Sequence, residues 1–274
     1  MLHKKNQILT AVHKKPILYD LYQGDSKKAK HLVIFCHGYK GFKDWGAWHL
    51  VAEALAKEEF LFLKFNFSHN GGTVENPIDF PDLEAFAQNN FSKELDDLDR
   101  VLDFVTRELH PESISVVAHS RGSGIALIKA EEDLRIHRVI TWAGVCNYKM
   151  LFKEGSEAFQ KWKNTGRSYV ENTRTRQQMP HDWQFYEDFK ENEERLTIER
   201  AVKKLRKPQL ILHGSDDATI PAEMAQLLHN WNPKSKLIII EGADHVFGAS
   251  HPWPHDHTPK DLQKAIDLTL AFLK

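Results

Sequence analysis

Short apolar runs alternate with longer amphipathic segments along this chain. The runs are ILYDLY (17–22), HLVIFC (31–36), FLFLKFNF (60–67), SISVVA (113–118), RVITWAG (138–144), QLILHG (209–214) and KLIIIE (236–241). Most of them lack alternation of polar and apolar residues, which is typical of parallel strands buried on both faces. The first run alternates more and predicts an outer antiparallel strand.

The segments between the runs have the residue spacing of amphipathic helices. Three apolar stripes are clearest: Trp48, Val51, Ala52 and Leu55; Leu95, Leu98, Leu102, Val105 and Leu109; and Leu262, Ala265, Ile266, Thr269 and Leu273. Regular alternation of strands and helices predicts an α/β fold with a doubly wound, mostly parallel sheet.

One connection is longer than a loop and a single helix require. It covers residues 145–208, and we predict that it forms a helical cap inserted between strands 6 and 7, with residues 1–144 and 209–274 as the core. A cap at this place would cover the carboxyl edge of the sheet, where open α/β sheets bind ligands. The aromatic residues between positions 148 and 189 are expected to divide between the core of the cap and a substrate pocket.

Composition and charge narrow the class of protein. The chain has 37 Lys and Arg residues against 38 Asp and Glu residues, and its basic residues are scattered. Neither nucleic acid nor an anionic membrane is therefore an expected partner. Two cysteines do not make a disulfide framework, and no segment has the length of apolar sequence that spans a bilayer. Because we see no signal peptide, we expect a cytoplasmic protein.

The stretch VVAHSRGSG (116–124) places a serine at a predicted strand-to-helix junction. A nucleophilic serine in such a sharp turn has an unfavourable backbone conformation, so the residues two before and two after it must be small. Ala118 and Gly122 meet that requirement. A glycine is usual at the first position, but a methyl group is the next smallest substituent. Ser120 is therefore the candidate nucleophile.

A nucleophilic serine needs a base and a group that orients the base. His245 lies just beyond an apolar run, and imidazole suits the role because it ordinarily titrates near neutral pH. Asp216 and Asp217 lie just beyond another run, which gives the order serine, aspartate, histidine expected for this architecture. We favour Asp217, since the turn can direct one carboxylate to the imidazole while its neighbour points to solvent. Asp244 is expected to bind the backbone of its own loop.

The glycine-rich stretch FCHGYKGFKDWG (35–46) follows an early predicted strand. Backbone N–H groups in such a loop can stabilise the negative charge of a tetrahedral intermediate. The expected donors are the N–H groups of Tyr39 and of Arg121, which directly follows Ser120. We expect His37 to brace the loop.

Four motifs together resemble the α/β-hydrolase family over nearly the whole chain: HGYKG, AHSRG, HGSDDATIP and ADHVFG. They look most similar to cinnamoyl/feruloyl-type esterases and to dienelactone-hydrolase and prolyl-peptidase-like relatives. The resemblance implies Ser120, Asp217 and His245 as a catalytic triad, with Tyr39 and Arg121 at the oxyanion hole and no cofactor. Ala118 departs from the usual glycine, which loosens assignment to a subfamily.

Four further side chains are candidates for a substrate pocket. Trp162 and Trp183 belong to the predicted cap, Phe247 follows the candidate base, and His69 follows a strand at the same edge of the sheet. The histidine-rich loop SHPWPHDHTP (250–259) could suggest a metal site. It has no matched histidine pair on a helix face, so we predict no metal.

These observations favour a serine hydrolase that cleaves carboxylic esters of short-chain or aryl, hydroxycinnamoyl type. A peptidase, amidase or thioesterase would use the same residues, and an inactive hydrolase fold that serves as a binding module is the alternative of a different class. A small-molecule ester is the expected partner. The sequence does not define an oligomeric state, and a homodimer is left open.

Overall fold

The computed structural model describes residues 1–25 and 30–274. The strands are β1 (Leu2–Thr10), β2 (Pro16–Gln23), β3 (His31–Cys36), β4 (Leu61–Phe65), β5 (Ser113–His119), β6 (Ile136–Trp142), β7 (Arg167–Glu171), β8 (Gln178–Asp182), β9 (Gln209–Gly214) and β10 (Lys236–Ile240). The α-helices are α1 (Trp48–Lys57), α2 (Leu83–Ala87), α3 (Phe91–Phe104), α4 (Gly122–Glu132), α5 (Glu157–Thr165), α6 (Gln184–Glu191), α7 (Glu193–Leu196), α8 (Ile198–Lys204), α9 (Glu223–Trp231) and α10 (Lys260–Leu273). A π-helical turn (Val105–Leu109) follows α3, and a 3₁₀ turn (Lys149–Leu151) precedes α5.

Within the described residues, the main sheet has the strand order β1-β2-β4-β3-β5-β6-β9-β10. The pairs β1–β2 and β2–β4 are antiparallel, and the other neighbours are parallel. The predicted α/β fold with a mostly parallel sheet is confirmed. Because β5 lies between β3 and β6 in the interior of the sheet, its carboxyl end is flanked by loops from both neighbours.

The sequence analysis did not predict the outermost strand, β1. Eight of its nine residues are exposed, so the strand needs no continuous apolar run and its sequence LHKKNQILT has none. The predicted outer antiparallel strand is β2, which pairs with β1 on one side and β4 on the other. It is antiparallel as expected, but it is covered by a polar strand.

The core is divided between the two faces of the sheet. Helices α1 and α10 pack on one face, around Trp48, Trp142 and Ile266. Helices α3, α4, α8 and α9 contribute to the core of the opposite face. The predicted apolar stripes supply the buried sides of α1, α3 and α10. Within the described residues, no helix has both the length and the apolar character that crossing a membrane demands.

The long connection between β6 and β9 lies between the sixth and seventh strands of the main sheet. It contains α5 to α8 and, in addition, the antiparallel hairpin of β7 and β8. The sequence analysis expected helices alone. The hairpin is tied to the rest of the fold through Met179, which is buried with Phe42, Phe80 and Phe86.

Helix α3 buries two carboxyl groups one turn apart, those of Glu94 and Asp97. Asp97 Oδ2 accepts a hydrogen bond of 2.7 Å from the backbone N–H of Ser68. Burial disfavours the charged form and raises the pKa of Asp97 to about 7. The folded protein therefore binds a proton at Asp97 that the unfolded chain has released at the same pH.

This proton makes stability depend on pH in a defined direction. Between about pH 4, the ordinary range of an aspartate, and about pH 7, Asp97 makes the free energy of unfolding fall as pH rises, because the folded state binds more protons. We expect Asp97→Asn to remove this dependence and to stabilise the protein at pH 8 on the order of 1–3 kcal/mol. Denaturant unfolding of the wild type and of Asp97→Asn at pH 5 and pH 8 would measure the free energies of unfolding.

The control is Asp99→Asn, another carboxylate of α3, whose side chain is partly exposed and pairs at 2.7 Å with Arg135, a residue that keeps its charge at both pH values. It should leave the difference between the two pH values as in the wild type. An Asp97→Asn protein with the wild-type pH dependence would contradict the argument.

Candidate active site

The junction between β5 and α4 has the strained turn that the sequence predicts. Ser120 has a φ angle of 54°, in the left-handed region that is unfavourable for a residue with a side chain. Two backbone hydrogen bonds stabilise the turn: the N–H of Ser120 donates to Trp142 O at 2.9 Å, and the N–H of Ser123 donates to Ser120 O at 3.0 Å.

The small residues around Ser120 have a steric cause. A Cβ atom on Gly122 would lie 2.4 Å from the carbonyl oxygen of His37, so only glycine fits there. Ala118 is fully buried and pairs with Cys36 of β3, where its methyl group is accommodated. The departure from glycine at position 118 is thus compatible with the turn.

Ser120, His245 and Asp217 form a continuous chain of hydrogen bonds. His245 Nε2 lies 3.0 Å from Ser120 Oγ, and His245 Nδ1 lies 2.8 Å from Asp217 Oδ2. Ser120 follows the carboxyl end of β5, Asp217 that of β9 and His245 that of β10. The arrangement can transfer the serine proton to an imidazole that a carboxylate orients.

The surroundings of Asp217 distinguish it from its neighbours. Its Oδ1 atom accepts hydrogen bonds from the N–H groups of Thr219 at 2.9 Å and Ile220 at 2.8 Å, and His213 Nε2 lies 3.2 Å from Oδ2. Burial opposes ionisation, but hydrogen bonds from His213, His245 and the Ile220 amide outweigh it and lower the pKa of Asp217. Asp217 is therefore a carboxylate.

The two other acids considered in the sequence have different partners. Asp216 accepts a hydrogen bond from the Ser215 hydroxyl. Asp244 Oδ1 accepts from the N–H groups of Val246 and Gly248, as expected for a residue that binds its own loop. Neither carboxylate forms a hydrogen bond with His245 within the described residues.

His119 is a residue of this site that sequence reasoning missed. Its Nε2 atom donates to the carbonyl oxygen of His245 at 2.8 Å, and its ring lies 5.3 Å from that of Trp48. Burial lowers the pKa of His119 to about 3, so the ring is neutral. It positions the backbone of the histidine loop, and only its place next to Ser120 could have pointed to it.

The loop after β3 approaches the serine closely. A Cβ atom on Gly38 would lie 2.8 Å from Ser120 Cβ, so the backbone leading to Tyr39 passes directly beside the nucleophile. In the part of the chain that the structure describes, the N–H groups of Tyr39 and Arg121 donate to no protein acceptor. These are the two amides that the sequence analysis expects to donate to an oxyanion.

His37 stabilises this loop. Its Nδ1 atom lies 2.9 Å from Gly38 O, to which it can donate, and its Nε2 atom accepts from the N–H of Phe67 at 3.2 Å. Burial lowers the pKa of His37 to about 4, so it is neutral near pH 7. Its contacts agree with the bracing role expected from the sequence.

Three buried charges and a partly buried one, Asp44, attach the same loop to the sheet. Lys43 Nζ lies 2.8 Å from Asp20 Oδ1 and 2.6 Å from Asp44 Oδ2. Lys64 Nζ lies 3.1 Å from Asp20 Oδ2 and also pairs with Asp44. Because removing one member would leave a buried charge unpaired, the group defines the position of the loop relative to β2 and β4. Nothing in the local sequence indicated it.

A cavity of about 650 Å³ opens at Ser120. Its lining is mostly apolar and comes largely from the connection between β6 and β9, and it includes the pocket candidate Trp162. The aromatic residues of the lining are Tyr39, Tyr148, Phe152, Phe159, Trp162, Tyr169 and Phe185. Such a cavity can bury a small apolar or aromatic group beside the serine.

The other three pocket candidates lie outside this cavity. Trp183 packs against the rings of Phe159 and Tyr186 within the inserted segment. Phe247 is fully buried against Trp142, in the core on the α1 and α10 face of the sheet. His69 is buried, and its ring binds the hydroxyl of Ser68. Nearness in sequence to the site suggested these residues, but apolar packing and a local hydrogen bond determine where their side chains lie.

The described residues contain no group of three or more His, Cys, Asp and Glu side chains that could bind a metal ion.

A comparison of the sequence with models of protein families identifies a family for this chain. A model described as "Alpha/beta hydrolase family" matches residues 33–262. The chain belongs to the alpha/beta hydrolase family.

Several solved structures have the same fold as this alpha/beta hydrolase. Est1E from Butyrivibrio proteoclasticus has a TM-score of 0.74 at 17% identity, covering 98% of this chain and 99% of its own; it has also been solved with ferulic acid bound. A putative hydrolase from Agrobacterium vitis S4 has a TM-score of 0.77 at 16% identity, covering 100% of both chains. Dienelactone hydrolase from Anabaena variabilis ATCC 29413 has a TM-score of 0.63 at 16% identity and 98% coverage of both chains. A search of curated proteins finds no significant match.

The contacts of the two adjacent aspartates lead to a test in this hydrolase. Asp217→Asn should lower kcat about a thousandfold or more, because the amide no longer stabilises the required imidazole tautomer and its protonated form. Asp216→Asn should change kcat less than about threefold, because the Asp216 carboxylate accepts from the Ser215 hydroxyl and forms no hydrogen bond with His245 among the described residues. Steady-state kinetics on an activated ester would compare them. Equal losses, or the reverse order, would show that the wrong acid is assigned.

Proposed function

We propose that this protein is a serine hydrolase that cleaves carboxylic esters, with Ser120 as nucleophile, His245 as general base and acid, and Asp217 as the orienting carboxylate. The observation that carries the proposal is the hydrogen-bonded chain from Ser120 Oγ through His245 to Asp217. The free N–H groups of Tyr39 and Arg121 beside Ser120 support it further.

The reaction proceeds in two halves. His245 Nε2 takes the proton of Ser120 Oγ, which attacks the ester carbonyl carbon, and the N–H groups of Tyr39 and Arg121 donate to the resulting oxyanion. His245 then protonates the departing alcohol, which leaves an acyl-enzyme. In the second half His245 deprotonates a water that attacks the acyl carbon, and the acid is released as Ser120 regains its proton. No cofactor takes part.

The lining of the cavity supports a modest apolar acyl or aryl group as substrate. Aromatic side chains surround the space next to Ser120, and such surfaces favour planar or short aliphatic groups. Est1E, which shares the fold, has been solved with ferulic acid bound. Short-chain and hydroxycinnamoyl esters are accordingly the proposed substrate class.

A fluorophosphonate probe tests the catalytic residues without knowledge of the substrate. We expect it to label the wild-type protein at Ser120, because the probe reacts with a serine activated by an adjacent base. Intact-protein mass spectrometry would detect the adduct, and Ser120→Ala should remain unlabelled. An unreactive wild type would favour the alternative of an inactive hydrolase fold that serves as a binding module.

A matched substrate panel tests the bond and the acyl group. We expect p-nitrophenyl acetate, butyrate and cinnamate to be hydrolysed with kcat/KM at least about a hundredfold above the corresponding p-nitroanilides, because an amine leaves less readily and needs better protonation. The corresponding thioesters complete the panel. An anilide or a thioester turned over faster than its ester would replace esters by that class as the proposed substrate.

A further inference from the structure

Arg121 contributes more to the site than a backbone N–H group. Its carbonyl oxygen accepts a hydrogen bond of 2.9 Å from the Tyr148 hydroxyl. Its guanidinium carbon lies 4.9 Å from the centre of the Tyr39 ring and 5.7 Å from that of Phe91. These contacts restrain both ends of the residue that directly follows the nucleophile.

The guanidinium of Arg121 forms a buried ion pair with Glu94 of α3. Arg121 Nη2 donates to Glu94 Oε1, and the two side chains are 11% and 3% exposed. The same oxygen accepts from Asn89 Nδ2 at 2.8 Å. Glu94 Oε2 is buried without a hydrogen-bond partner among the described residues. Glu94 therefore depends on Arg121 for charge compensation, which strongly favours one position of the guanidinium.

The stack of Arg121 on Tyr39 joins the two residues whose amides face the candidate oxyanion site. One amide belongs to the loop after β3 and the other to the start of α4, so no secondary structure links them directly. The cation–π contact spans this gap. Because Glu94 determines where the guanidinium lies, it also determines the surface against which Tyr39 packs.

We propose that Glu94 is a positioning residue for the oxyanion hole, which acts by fixing the Arg121 guanidinium against the Tyr39 ring and so sets the spacing of the two amides. This inference rests on the proposed function. Glu94 does not line the cavity and acts only through Arg121. A contribution to stability alone would not require this arrangement, since a buried ion pair is often no more stabilising than apolar residues of similar volume.

The decisive variant is Glu94→Gln, which keeps the size of the side chain and an acceptor for Asn89 but removes the charge that binds Arg121. With p-nitrophenyl butyrate we expect kcat to fall about tenfold, less than the loss from deleting an oxyanion donor altogether. KM should stay within about twofold, because the ester is not yet an oxyanion in the ground state.

A transition-state mimic separates positioning from a structural role. Ser120 Oγ adds to the carbonyl carbon of 1,1,1-trifluoropentan-2-one as its proton passes to His245 Nε2. The product is a hemiketal oxyanion with the same acyl chain as the butyrate ester. The dissociation constant of this ketone should rise by the same factor, about tenfold, by which kcat/KM falls in Glu94→Gln. Thermal unfolding is measured alongside. A loss confined to the melting temperature would overturn the proposal.

Asp97→Asn is the matched control. Asp97 lies one turn further along α3, is buried to the same degree and makes its hydrogen bond to the Ser68 amide instead of Arg121. Assayed at pH 8, above the pKa of about 7 that burial gives Asp97, this variant removes a charge from α3 and should leave kcat and the affinity for the ketone at wild-type values. A tenfold loss of kcat in both Glu94→Gln and Asp97→Asn would overturn the proposal, because removing any negative charge from α3 would then explain the loss.

Tyr39→Leu is a second variant that leaves the Glu94–Arg121 pair intact and therefore creates no unpaired buried charge. It removes the ring, and with it the hydroxyl contact with His181, while keeping the amide. It should reproduce the loss of kcat and of affinity for the ketone, whereas Tyr39→Phe, which keeps the ring and removes only the hydroxyl, should not. Wild-type kcat in Glu94→Gln, or a rise in its KM alone, would overturn the inference and leave the proposed function standing. A wild type that neither hydrolyses esters nor reacts with the fluorophosphonate would overturn both.

Discussion

The close contact of two backbone segments underlies the whole site. The turn that contains Ser120 has a left-handed conformation at the serine and packs directly on the loop that follows β3. A Cβ atom on Gly122 would lie 2.4 Å from His37 O, and one on Gly38 would lie 2.8 Å from Ser120 Cβ, so the two segments can approach this closely only because both positions are glycine. Side chains at these two positions would separate the nucleophile from the amide of Tyr39.

Around this contact, long-range polar interactions fix each loop at the carboxyl edge of the sheet. Asp217 and His119 restrain the histidine loop through the ring and the backbone of His245 respectively. The ion pairs of Lys43 and Lys64 attach the glycine-rich loop to β2 and β4. Buried charges and hydrogen bonds are costly to leave unsatisfied, and each of these loops therefore has one favoured position.

The segment between β6 and β9 supplies most of the cavity lining, whereas the residues proposed for catalysis lie on the core of the fold. This division allows the reacting groups to remain fixed while the inserted segment determines which acyl groups fit. Tyr39 belongs to both parts: its amide faces the candidate oxyanion site, and its hydroxyl lies 2.7 Å from His181 Nε2 of the β7–β8 hairpin.

Much of the fold and the candidate site could be predicted from the sequence because both depend on local rules. Parallel strands buried on both faces leave apolar runs, and a strained turn demands small neighbours. Ser120, Asp217 and His245 could therefore be chosen as candidates from strand ends, turn chemistry and chain order, and the structure places them in one chain of hydrogen bonds. The roles of Glu94, His119 and Lys64, and the displacement of Trp183, Phe247 and His69 from the cavity, depend on partners far away in the chain. Hydrophobic periodicity and turn chemistry depend on residues that are close in the sequence, so the sequence alone determines them. The pairing of buried charges and the lining of a cavity depend on segments far apart in the chain, so only the tertiary structure determines them.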